Sequence, residues 1–146
     1  MTKTDDIKTP IRVFFSFDSR DREIATELRK AMLRHPNVQL FTRDGLSAGE
    51  DWSSKLKNEL YACDVFAVLL TENAIDSPWV LQELGAVWGL SKPIYAFYSD
   101  PWVSAKIPVP LGEQQLIPIW PFEESKTVAS FLERYSEEAT TVQNKS

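Results

Sequence analysis

Apolar residues in this chain fall into short unbroken runs, separated by longer stretches in which they recur every three or four positions. Residues 11–17 form one such run, after which Asp18 and Ser19 supply cap oxygens and Ile24, Leu28, Ala31 and Met32 fall on one side of a helix. Residues 38–41 predict a second strand and residues 42–49 a polar loop, whose end, Ser47-Ala48-Gly49-Glu50, has the Ser-x-x-Glu form of a capping box. Trp52, Leu56 and Leu60 then repeat at helical spacing. Residues 64–70 make the most apolar strand, 78–90 a helix and 93–97 a fourth strand. Pro101, Pro108 and Pro110 make residues 99–112 irregular surface, so any helix in this crossover is short or distorted. A fifth strand at about residues 115–120 precedes a closing helix over 123–140, where Val128, Phe131, Leu132 and Tyr135 follow the i, i+3, i+4, i+7 rule.

Strands apolar on both faces and alternating with helices specify a parallel sheet covered on both sides, because an antiparallel sheet with one wet face alternates in polarity. The class is α/β. Among small doubly wound sheets the commonest arrangement is the flavodoxin-like order 2-1-3-4-5, with five parallel strands and helices on both faces. Its winding reverses between strands 1 and 3 and leaves a crevice at their carboxyl ends. On that geometry Ser16, Arg43, Trp79 and Glu83 converge. The expected organisation is a polar segment over residues 1–10, one domain over 11–141 and a short tail over 142–146.

The helix start Ser77-Pro78-Trp79-Val80-Leu81-Gln82-Glu83 is the most informative local feature. Ser77 suits the N-cap, Pro78 the first helical position, and Trp79 and Glu83 lie on one side, four residues apart. A Glu near a helix N-terminus is favoured by the macrodipole, and a Trp is usually core, so these residues alone leave a purely structural role open.

At 146 residues and 43% hydrophobic content, the chain has room for one ordinary domain with a real core. The 16 Lys and Arg against 21 Asp and Glu give a net charge of −5, which argues against binding nucleic acid or an anionic membrane while leaving room for one small anionic ligand. The polar start and the absence of a long apolar run point to a cytoplasmic protein. Cys63 and His35 are the only residues of their kinds, which makes an internal disulfide impossible and a Cys/His nucleophilic pair or a His-rich zinc site unexpected. Cys63 reads as a small buried side chain and His35, before Pro36, as a helix-end residue. No Gly-rich phosphate fingerprint follows the first strand, and no Gly-Lys-Ser/Thr loop occurs. Asp18, Asp21, Glu72 and Asp76 sit where caps and first-turn acids belong, so no metal site is expected of them.

Four segments together carry a resemblance: Val13-Phe14-Phe15-Ser16-Phe17, the stretch from Arg43 to Trp52, the strand from Asp64 to Thr71, and Ser77 to Leu84. In order and spacing they resemble a TIR (Toll/interleukin-1 receptor homology) domain, from about Ile11 to Phe97. Phe17 stands where many members have Tyr, Val80 where many have Cys, and Ser47-Ala48 where many have Pro. The resemblance implies the flavodoxin-like sheet, a loop after strand 2 used in assembly and substrate access, and Glu83 as the catalytic carboxylate of TIR enzymes that cleave NAD+.

On that implication NAD+ is the substrate, and no cofactor or metal is needed. The nicotinamide is already a pyridinium and leaves neutral, so one carboxylate suffices to stabilise the oxocarbenium ion that forms on the ribose. Phe17 or Trp79 can supply an aromatic wall, with Trp79 read first as packing beneath its helix; Ser16 can bond the ribose or carboxamide, and Arg43 can meet a phosphate. The resemblance extends to standalone bacterial TIR proteins of antiphage defence, including the Thoeris kind. It implies self-association through TIR–TIR contacts and a downstream effector reached by a cyclic or modified ADP-ribose signal. A non-enzymatic TIR interaction module and a nucleoside deoxyribosyltransferase-like enzyme are the alternatives.

Overall fold

In a computed structural model, the structure describes residues 10–45, 52–107, 109–112, 115–119, 131–133 and 135. Five parallel strands form one sheet: β1 (Ile11–Ser16), β2 (Val38–Phe41), β3 (Val65–Leu70), β4 (Ile94–Tyr98) and β5 (Leu116–Pro118), in the order β2-β1-β3-β4-β5. The expected sheet order therefore holds. Register is set by pairs such as Val13 with Leu40 on one side and Val13 with Val65 on the other. The helices are α1 (Arg22–Leu33), α2 (Trp52–Ala62), α3 (Glu72–Ile75), α4 (Pro78–Gly89) and α5 (Pro101–Ser104). The four residues of α5 are all the helix that the proline-marked crossover contains among the described residues.

Strand alternation divides the core in two. Val65, Ala67 and Leu69 of β3 face a layer built with Val13, Phe15, Leu28, Met32 and Phe131, whereas Phe66, Val68 and Leu70 face Phe14, Leu60, Val80, Leu84 and Val87. Period-two geometry on a strand buried on both sides gives this result directly. Helical residues carrying Phe131 and Leu132 close the first layer, and both side chains are buried. The expected fifth-strand end at Trp120, the capping box of residues 47–50, the terminal segments and most of the closing helix lie outside the described residues.

One inward residue of α1 differs from expectation. Ile24 is 40% exposed, and Ala25 is fully buried in its place. The chain first makes a 3-10 turn over Ser19–Asp21, so α1 begins only at Arg22, and its buried stripe runs through Ala25, Leu28, Ala31 and Met32.

Candidate active site

Helix α4 starts as its sequence prescribes. Ser77 is the N-cap, its Oγ accepting the Val80 N–H at 3.3 Å, and Pro78 occupies the first turn. The buried stripe that follows is Val80, Glu83, Leu84 and Val87, so a carboxylate sits among three aliphatic side chains facing the sheet. Glu83 is 2% exposed.

The end of β1 meets it there. Ser16 is the last residue of β1 and shares a sheet face with Phe14, two positions earlier. Its Oγ donates to Glu83 Oε1 at 2.7 Å. From the 3-10 turn after β2, Arg43–Gly45, the Arg43 Nη1 donates to Glu83 Oε2 at 3.1 Å. The same guanidinium lies 5.5 Å from the centroid of the Trp79 ring. Ser16, Arg43, Trp79 and Glu83 thus converge at the carboxyl ends of β1 and β3, where the winding reverses.

Trp79 does not pack beneath its helix. It is 53% exposed, because it stands one residue off the buried stripe of α4 and supports Arg43 by a cation–π contact instead. Phe17 is buried against Phe15, with ring centroids 5.3 Å apart, and lines the site from the α1 side.

Burial pushes the Glu83 carboxyl above its ordinary range, opposed by the Ser16 hydrogen bond and by the charge and hydrogen bond of Arg43. The group is therefore a desolvated acid whose ionised form depends on two named partners. It forms a wall of a cavity of about 160 Å³. Ser19, Arg22 and Asp44 also line this cavity. None of the three stands out in the sequence, although Arg22 carried a readable signal: a cation in the first turn of the helix that follows β1 necessarily opens on this edge.

The rim is tied across the crevice. Asp18 accepts the Arg20 backbone N–H at 2.9 Å and its Nε–H at 2.7 Å, while Arg20 also donates to the Asn73 carbonyl at 3.2 Å. The Arg20 hydrogen bond holds the Asp18 carboxyl below its usual range. Asp21 accepts from the Thr71 hydroxyl and from Asn73 Nδ2. The loop after β1 is thereby fixed to the start of α3, on the other side of the site. Asp44 accepts from the Thr42 hydroxyl and faces Arg29 at 3.8 Å.

Elsewhere, the thiol of Cys63 is buried and donates to the Leu60 carbonyl at 3.2 Å, and burial raises its pKa. His35 Nδ1 accepts the Asn37 N–H at 3.3 Å, just past the end of α1. No described helix is long and apolar enough to cross a membrane.

A family model described as TIR domain matches residues 13–133. The chain belongs to the TIR domain family. Among solved structures, this TIR domain is similar in fold to the TIR domains of the activated Roq1 resistosome directly recognizing the pathogen effector XopQ, with 18% identity, a TM-score of 0.63 and coverage of 85% of this chain and 98% of that one. It is equally similar to the TIR domain of the Toll-related receptor TRR-2 from Hydra magnipapillata, at 15% identity, TM-score 0.63 and coverage of 85% and 97%. A 2-desoxiribosyltransferase from Leishmania mexicana shares the fold at 14% identity and TM-score 0.55, over 87% of this chain and 98% of that one. No curated protein matches the sequence.

Proposed function

We propose that this TIR domain cleaves the nicotinamide–ribose bond of NAD+, with Glu83 as the catalytic carboxylate. One observation carries the reading: a single carboxylate, 2% exposed, whose two oxygens are held by Ser16 and Arg43 at the mouth of the sheet's winding reversal. In the bond-breaking step the electron pair of the C1′–N bond passes to the pyridinium nitrogen, and nicotinamide departs neutral. Positive charge is left on the ribose. An anion held in a water-poor site stabilises that charge more than it stabilises the bound substrate.

Arg43 has a part in the same step. While its guanidinium stays on Oε2, Glu83 is neutralised, so a substrate whose own phosphates draw Arg43 away exposes the carboxylate as it binds. Ser16 keeps the other oxygen oriented. The cation is then trapped by water or by a nucleophile of the ligand, giving ADP-ribose or a cyclic or modified ADP-ribose. We propose the latter as an immune signal of the antiphage kind, made in the cytoplasm by copies of the domain packed on one another and read by a downstream effector.

The test is concentrated protein with NAD+ and mass spectrometry of every product, beside Glu83→Ala and beside a deoxynucleoside. Nicotinamide release that vanishes in Glu83→Ala is expected. Unchanged turnover in that variant removes the assignment, and cleavage of the deoxynucleoside alone makes the chain a deoxyribosyltransferase-type enzyme instead.

A further inference from the structure

Four arginines stand at or beside the crevice, and three of them have acidic partners. Arg20 is held by Asp18 and by the Asn73 carbonyl, Arg29 faces Asp44, and Arg43 is bonded to Glu83. Arg22 is the exception. Among the described residues no carboxylate pairs with it, and it lines the cavity of about 160 Å³. Its position follows from α1, whose buried stripe runs through Ala25, Leu28 and Met32. Arg22 continues that stripe one turn earlier, where it shares the cavity wall with Phe15 and Phe17.

The charges around this cavity leave one cation over. Arg22 and Arg43 line it together with the carboxylates of Asp44 and Glu83. Asp44 accepts from Thr42 and faces Arg29, and Glu83 is bonded to Arg43, so each acid is already matched and the Arg22 charge is surplus. Small-molecule sites usually span about 300–1,000 Å³, so this smaller space suits the charged part of a larger ligand and not the whole of it. Ser19, exposed on the same wall, offers a hydroxyl to the same anion. The residue type fits as well, since the planar guanidinium fork meets two phosphate oxygens at once.

We infer that Arg22 is the docking cation for the diphosphate of a dinucleotide substrate, a specificity-determining residue separate from the Arg43 and Glu83 pair. This rests on the reading of Glu83 given above. An exposed guanidinium with no carboxylate to release engages the diphosphate first. Arg43, by contrast, must exchange Glu83 for phosphate, and that exchange is favoured once the anion is already held within reach. The two arginines thus differ in what they control. Arg22 acts on binding alone, whereas Arg43 also bears on the ionisation of Glu83, whose hydrogen-bond partners are Ser16 and Arg43.

Arg22→Gln is compared with Arg22→Lys and with Lys30→Gln, which takes one exposed positive charge from the same helix at a residue paired with Glu27. Calorimetric titration with ADP-ribose reads binding without turnover, and nicotinamide release from NAD+ and from nicotinamide riboside reads kcat and KM. Arg22→Gln is expected to weaken ADP-ribose and to raise KM for NAD+ at least tenfold, while kcat stays within threefold and KM for the phosphate-free riboside within twofold. Arg22→Lys recovers part of the loss, because it restores the charge without the fork, and Lys30→Gln stays within twofold of wild type. The acidic limb of the kcat profile does not move in Arg22→Gln, since Glu83 is bonded to Ser16 and Arg43 and not to Arg22. ADP-ribose affinity within twofold of wild type in Arg22→Gln, or no binding by the wild type, overturns the proposal. So does an equal loss in Lys30→Gln, which would make the effect one of net charge, or an equal rise in KM for the riboside, which would make it a distorted site. Failure of the two readings is separable. Arg22-dependent ADP-ribose binding without nicotinamide release removes the catalytic assignment alone, whereas nicotinamide release with unaltered KM in Arg22→Gln removes the docking residue alone.

Discussion

Replacing Glu83 by Gln keeps the side chain's shape and removes its charge, and the two consequences have opposite signs. For catalysis, a carboxylate about 4 Å from the cationic ribose in a medium of effective dielectric about 20 is worth about 4 kcal/mol. That corresponds to about a thousandfold in rate. For folding, the charge is a liability. Burial raises the Glu83 pKa, so the folded state favours the protonated form. Stability from this group is complete below the unfolded pKa and is lost as pH rises through the higher folded value. The Gln variant forfeits a charge-assisted bond from Arg43 but leaves no orphaned buried cation, since the Arg43 side chain is 19% exposed and can turn to water. A net gain of about 1 kcal/mol at pH 7.5 follows, or about 3–5 °C in Tm for a domain of this size. Calorimetry across pH and a nicotinamide-release assay check both halves. The Tm gap between Glu83→Gln and wild type should open as pH rises from the ordinary carboxylate range and close on acidification. Turnover within tenfold of wild type, or a Tm below wild type at neutral pH, refutes the reasoning.

Ser16→Ala removes a partner that favours ionised Glu83, so the acidic limb of the rate profile moves to higher pH and stability at neutral pH falls by about 1–3 kcal/mol; steady-state kinetics against pH and urea unfolding read the two effects. Arg43→Gln moves the same limb in the same direction and also raises KM for NAD+ at least tenfold, with little change in KM for a substrate lacking phosphates. Nicotinamide riboside, which cannot draw Arg43 from Glu83 with a pyrophosphate, should show a kcat/KM at least a hundredfold below that of NAD+ in wild type and a smaller gap in Arg43→Gln. Far from the site, Ser91 holds φ 58° after α4, where the Ser91 and Lys92 N–H groups bond back to the Trp88 and Val87 carbonyls. Ser91→Gly relieves left-handed strain of about 1 kcal/mol and should raise Tm by a few degrees with turnover unchanged.

The sheet was legible because its strands are apolar on both faces, a pattern that admits few architectures. The helix start at Ser77 was legible because cap and proline act locally. Ile24 and Trp79 were misjudged for one reason: helical phase. A 3-10 turn moves the start of α1, and a one-residue offset on α4 separates an exposed indole from a buried stripe. Both are set by tertiary docking and not by composition. The contribution of Ser19 and Asp44 to the cavity was hidden because each also reads as an ordinary polar residue of a helix start or turn, whereas Arg22 was marked only by its place in the first turn after β1.

Ser16 ends a strand while Arg43 and Glu83 come from two different crossovers, and only the reversal in winding brings the three together. β1 lies between β2 and β3, so the turn leaving β2 and the helix following β3 both reach the end of β1 from opposite sides. Move β2 to the far edge of the sheet and Arg43 is carried several strand spacings of about 4.8 Å each from Glu83. The buried carboxylate then has no counter-ion and folds only as the neutral acid. Topology thus supplies the cation that lets an acid sit ionised in an apolar layer, and the position of that cation on the outer, half-exposed Trp79 gives it somewhere to go. A resting ion pair and a working carboxylate exclude one another at a single oxygen. Under the proposed function, an anionic substrate resolves the conflict by replacing Glu83 as the partner of Arg43, which makes uncovering the charge a consequence of binding the molecule on which it acts.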